Sequence, residues 1–216
     1  MTYDWSVVWQ HRSALADGVV ITVLLTVLTM ALAVPGGLAI MLLRQTRIGV
    51  VGTAFVEFFR NLPLILVIYW TFYVLPILVD VVLSPFATGL LALSLAVSAY
   101  NAETFRAGVN SIRKGQVDAA LALGMSWTQL MRIVVLPQAI RRVLPVLAST
   151  WVSLFKDTSL VSVIAVGELA YTSMQIRAQT FRVLEMLTAM AVIYWCLGYP
   201  QAKLVDWIHR KYGVTE

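Results

Sequence analysis

The sequence predicts an all-α integral membrane protein of five transmembrane helices, and three observations carry that reading. Of 216 residues, 60% are apolar and only 12% charged, with a mean hydropathy of +0.82, well above what soluble domains show. The apolar residues gather into uncharged runs, each long enough for a bilayer core about 30 Å thick at about 1.5 Å of helix per residue. The basic residues stand at the ends of those runs. That placement is the membrane pattern, so the net charge of +5 does not imply nucleic acid. No internal repeat, low-complexity tract or linker divides the chain, so one membrane domain is expected.

The chain divides in order. Residues 1–17, with Tyr3, Trp5, Val8 and Trp9 beside Arg12, read as an interfacial segment. The start lacks the basic region of a signal peptide, and no small-residue cleavage site follows. Residues 18–43 are free of charge and form the first span, with Pro35-Gly36-Gly37 predicting a kink or a close helix contact. The second span is 61–79, with Pro63 near its start, where proline is tolerated. A short turn, 80–85, leads to the third span, 86–102, which continues to about Arg106. The fourth begins after Arg141-Arg142 and runs to about Gly167, interrupted by Lys156-Asp157. The fifth is 186–202, followed by a tail at 209–216. Cys196 is the single cysteine and lies in an apolar run, so no intrachain disulfide can form.

Positive charge sets the orientation. With five spans, the first, third and fifth end on one side. That side collects Arg44, Arg47, Arg60, Arg106, Arg113, Lys114, Arg132, Arg141, Arg142, Lys203, Arg210 and Lys211. Only Arg12, Arg177 and Arg182 fall opposite, with Lys156 in the membrane. By the positive-inside rule the tail is cytoplasmic and the N-terminus faces out.

The one long segment between spans that is not itself a span is 118–137, in a cytoplasmic loop at 110–137. Asp118 to Leu123 favours helix, and Gly124 sits where a left-handed residue would end it. Ser126 with Gln129 three positions on is a capping-box pattern for a second short helix, expected to stop at Pro137. Two short helices broken by a glycine make a compact knob. Leu121, Met125 and Trp127 would give it apolar contacts, and Ala119 and Ala120 would allow close approach by a partner.

Asp118-Ala119-Ala120, Gly124, Val134 and Leu136-Pro137 stand at the spacing of Glu-Ala-Ala, three residues, Gly, nine residues, Ile, one residue, Leu-Pro. This resembles the cytoplasmic-loop signature of permease subunits of bacterial ABC importers. Four further stretches resemble the polar amino-acid uptake branch: Phe59-Arg60 to Pro63, Tyr100 to Gly108, Ser111 to Gln116, and Lys156-Asp157-Thr158-Ser159-Leu160. The resemblance covers about residues 15–208. It implies a type-I ABC importer-like transmembrane domain in the bacterial cytoplasmic (inner) membrane, with a coupling helix in the 118–137 loop. Asp118, Ala119, Ala120, Gly124, Leu136 and Pro137 would be its ATPase-coupling residues. It further implies a pair of ATPase subunits, a second permease subunit (a homodimer or heterodimer) and an extracytoplasmic substrate-binding protein.

The residues agree with a chain that borrows its motor. No phosphate-binding loop of the form G-x-x-x-x-G-K-[ST] is present, so ATP is expected on the partner subunit and no cofactor in this chain. His11 and His209 lie far apart on opposite sides, so no metal pair or histidine-based catalytic set is expected. Lys156 and Asp157, about 22 Å of helix beyond Arg142, are the costliest residues to insert and should face protein or water. Ser149, Thr150, Ser153, Lys156, Asp157 and Ser159, with Thr158 beside them, read as a polar stripe along the fourth span. A stripe of both signs suits a zwitterionic amino acid, with Asp157 near the ammonium and Lys156 near the carboxylate. The alternative is a network that pins the helix to its partner subunit. Glu103 and Arg106, three apart, read as a local brace. The outer loop with Glu168, Tyr171, Gln175, Arg177 and Arg182 is either solvated or a docking surface for a binding protein. A self-sufficient secondary carrier would show a repeat and its own coupling-ion carboxylates, and a membrane scaffold would need no charge in the fourth span.

Overall fold

A computed structural model describes residues 3–212, which form helices and no strand; residues 1–2 and 213–216, the extremes of the expected outer segment and tail, lie outside the described residues. The helices are α1 (Ser6–Gln10), α2 (Arg12–Leu43), α3 (Gly49–Asn61), α4 (Leu64–Val79), α5 (Pro85–Asn110), α6 (Lys114–Ala122), α7 (Leu136–Asp157), α8 (Leu169–Thr180) and α9 (Val183–Tyr212). By length and composition α2, α5 and α9 can each cross a membrane, and the bent pair α3 and α4 supplies a fourth candidate. The fifth is α7, 22 residues or about 33 Å long. It is more polar because it carries Arg141, Arg142, Lys156 and Asp157.

The Pro35-Gly36-Gly37 signal resolves as a contact, for α2 continues through Pro35. A Cβ on Gly37 would lie 2.6 Å from Asn101 Cβ, and one on Gly36 would lie 2.6 Å from Ser98 Oγ. Small residues there let two backbones approach, the usual solution for helices packed in lipid. Gly108 meets Val143 in the same way and draws α7 onto α5. The core so formed joins Leu25 and Ala33 of α2, Ile68 of α4, and Ala92 and Leu93 of α5 with Val161 after α7.

The structure corrects three boundaries. First, the second span does not begin at residue 61. Residues 49–61 form a separate helix, and the chain turns by 111° before α4. Leu62 is extended, as the residue before a proline prefers to be, and Pro63 then caps the new helix. Second, Pro137 does not end a short helix. A helical turn at Trp127–Gln129 passes through a π-turn at Leu130–Val135 directly into α7, and Pro137 sits in the first turn of α7. Proline lacks an N–H and its ring presses on the carbonyl one turn back, and widening that turn relieves both problems. The helix that carries the fourth span therefore starts at Leu136, with Arg141 and Arg142 inside it. Third, the loop after the fourth span, expected to be irregular, holds α8. A 3₁₀ stretch, Thr158–Ile164, is closed by Ala165 in the left-handed region, and α8 then packs on α2 and α9.

On that same side the N–H of Asp4 donates to Glu185 Oε1 at 2.9 Å, and Val7, Leu15, Leu169, Ile176 and Met186 form a second core. Tyr3, Trp5 and Trp9 remain exposed, with the Arg12 guanidinium 4.9 Å from the centre of the Trp9 ring.

Candidate functional site

Two features carry the candidate function: the knob between α5 and α7, and the polar face of α7.

In the knob, α6 ends in a double hydrogen-bonded turn. The Gly124 N–H donates to Leu121 O at 2.9 Å, and the Met125 N–H to Ala120 O at 3.2 Å. Gly124 has φ +76° and open space where a Cβ would stand, so its glycine answers a backbone need. The expected capping box follows, with Ser126 and Gln129 each closing on the other's backbone N–H. Ile112, Ala120, Leu130 and Val135 form a small core under this turn, with Met125 packed on it.

That core redistributes the expected contact residues. Ala120 and Met125 face inward and hold the knob together. Asp118, Ala119 and Gly124 stay exposed, as do Leu121 (47%), Trp127 (67%) and Leu123 (83%). Leu136 and Pro137 are exposed at the root of α7. Leu123 was not expected on this exposed face, although an apolar side chain beside a terminating glycine is a readable signal.

The stripe on α7 divides. Ser149, Thr150, Ser153 and Asp157 line one cleft of about 380 Å³ with Phe59 and Tyr100. Lys156 and Ser159 line another, of about 670 Å³, with Tyr194 and Trp195 of α9. Neighbouring residues on a helix point about 100° apart, which is why the two charges part. Thr158 enters neither cleft: it is fully buried and donates to Phe155 O at 2.7 Å. Ser149 and Thr150 donate to carbonyls of their own helix at 3.1 and 3.0 Å. The side chains of Ser153 and Asp157 have no hydrogen bond or ion pair among the described residues, so both keep capacity for a ligand.

The Glu103–Arg106 brace is present and larger than its sequence signal. Glu103 takes a two-pronged contact from the Arg106 guanidinium and a second from Arg44 Nη1 at 2.9 Å, which ties the ends of α2 and α5 together. Glu168, expected in a solvated or docking loop, is fully buried. Its carboxylate caps α8 by accepting from Ala170 N (2.8 Å) and Tyr171 N (2.7 Å), and it accepts from Tyr194 OH at 2.9 Å. Among the described residues no group of three or more His, Cys, Asp and Glu side chains could hold a metal ion.

Residues 33–214 match the family of binding-protein-dependent transport system inner membrane components. The glutamate/aspartate import permease protein GltK of Escherichia coli O6:H1 is 32% identical over 97% of this chain and 98% of that protein. The glutamine transport system permease protein GlnP of Escherichia coli K12 is 37% identical over 90% of each. Among solved structures, a chain of an amino acid ABC transporter crystallised with histidines superposes at a TM-score of 0.92, with 30% identity and coverage of 98% of this chain and 100% of that one. A chain of the MetNI methionine ABC transporter, in an inward-facing conformation, shares the fold at a TM-score of 0.78 with 20% identity, covering 95% of this chain and 99% of that one.

Proposed function

Since the chain belongs to the binding-protein-dependent transport system inner membrane component family, we propose that it is the transmembrane subunit of an ATP-driven importer of a polar amino acid. Relatives named for glutamate, aspartate and glutamine transport support that substrate class. Its partners are a pair of ATPase subunits at the knob, a second permease subunit beside it, and an extracytoplasmic binding protein. The knob and the C-terminal tail face the cytoplasm, and the N-terminus lies outside, where Tyr3, Trp5 and Trp9 offer an aromatic face to the lipid interface.

One observation carries the mechanical part of this reading: the knob is continuous through its π-turn with the helix that bears Asp157. A push on the exposed face of Ala119, Leu121, Leu123 and Trp127 is passed on as rigid-body movement of α7. Ser153 and Asp157 are the groups in its cleft with capacity for a polar solute, Asp157 for the ammonium. Lys156, Thr158 and Ser159 are set apart from that solute and support the helix or its partner.

Leu123→Asp and Trp127→Asp place a charge on the docking face without touching the knob core. Each should cut co-purification of the ATPase subunits by about tenfold or more. Uptake should fall with it while the chain still inserts. Full co-purification and uptake in both variants would sink the proposal.

A further inference from the structure

Below the Asp157 cleft lies a second cleft, also of about 380 Å³, lined by Arg60, Tyr100, Glu103, Ser111, Arg142 and Val146. Tyr100 and Val146 line both clefts, so the two meet at the Tyr100 ring. Their charges are opposite. The upper cleft has Asp157 as its charged group. In the lower one Glu103 is already engaged by Arg44 and Arg106, which leaves Arg60 and Arg142 to set the sign. Arg142 donates to Ser111 O at 2.7 Å, which fixes its guanidinium at the cleft wall. Arg60 has no carboxylate partner among the described residues; its guanidinium lies 5.9 Å from the centre of the Tyr100 ring.

We propose that the lower cleft is an exit subsite that receives the carboxylate of the transported amino acid on Arg60 and Arg142, with Tyr100 as the divider between it and the Asp157 cleft. This deepens the transport reading above and rests on it. A cation held over a ring is a weak arrangement, and a two-pronged guanidinium–carboxylate pair is a strong one. An arriving carboxylate therefore draws Arg60 away from Tyr100 and frees the ring to move. The Arg142 and Asp157 backbones are about 22 Å apart along α7, so one α-amino acid does not bridge the two groups. The ammonium is held first, above, and the carboxylate afterwards, below.

The test uses the complete transporter, purified with its ATPase subunits and binding protein and reconstituted in vesicles, with radiolabelled glutamine and glutamate as probes. Arg60→Gln should lower the amino acid delivered per ATP hydrolysed by about tenfold, and Arg60→Lys less, because the ammonium keeps the charge but loses the fork. An unchanged ratio in Arg60→Gln overturns the exit subsite. If Arg60→Gln fails to assemble, Arg142→Gln and Arg60→Lys carry the same measurement, and unchanged ratios in both overturn it equally. A second readout places Ser153→Cys in a Cys196→Ser background and follows reaction of the introduced thiol with an impermeant reagent supplied from the knob side. Tyr100→Ala should speed that reaction about tenfold and Tyr100→Phe should not; equal rates in all three overturn Tyr100 as divider. If the thiol introduced by Ser153→Cys never reacts from either side, or reacts equally fast with and without added amino acid, the reading of the upper cleft as part of the path is overturned instead.

Discussion

Helices α5 and α9 have nearly the same mean hydropathy in their most apolar windows, 1.2 and 1.4, yet 61% of the first window is buried in the protein and 11% of the second. The difference lies in side-chain size. The buried face of α5 is mostly small, with Ala92, Ser94, Ala96, Ser98, Ala99 and Ala102 beside Leu93, Val97 and Asn101. The outward face of α9 is large, with Val192, Trp195, Tyr199, Leu204 and Trp207 exposed. In lipid, apolarity does not drive helices together, because the tails are as apolar as leucine; close backbone approach does. Hydropathy finds the helix, and residue volume finds the side it packs with.

Substitutions at the α2–α5 contact, on α5 and on α9 test this contrast. The largest effect should come from Gly37→Leu, whose new Cβ would meet Asn101 Cβ at 2.6 Å with Ala102 N at 2.9 Å behind it. Overpacking of this kind costs about 1–3 kcal/mol or more, and the variant should lose most of its thermal transition in detergent. Next is Glu103→Gln, which leaves the Arg44 side chain, 14% exposed, without its counter-charge. About 2 kcal/mol should be lost, read as a lower Tm that Arg106→Gln reproduces only in part. The smallest effect should be Trp195→Ala on the outward face of α9, within about 0.5 kcal/mol in the isolated subunit. A larger loss there would show that α9 packs against something the isolated chain provides, and the contrast with α5 would break.

The parts legible in the sequence were those with local causes. Gly124 with its left-handed backbone, the Ser126–Gln129 box and the Glu103–Arg106 pair each depend on residues within a few positions, and each stands where its pattern put it. What escaped depends on contacts far along the chain or on how one irregularity cancels another. Pro137 reads as a stop until a π-turn is placed before it. Glu168 reads as an outer-loop acid until Tyr194 and Thr22, distant in sequence, close over it. The division of Lys156 from Asp157 required knowing which helices flank α7. Ala120 sits inside the knob because Leu130 and Val135 fold back beneath it.

The tie between Asp4 and Glu185 spans 181 positions. Its second half leaves the ribosome only when the last helix is being made. The opening segment must therefore wait, unanchored, through nearly all of synthesis before its berth exists. Truncations that remove the final helix should therefore leave the segment from Asp4 to Gln10 open to a protease that the finished protein resists.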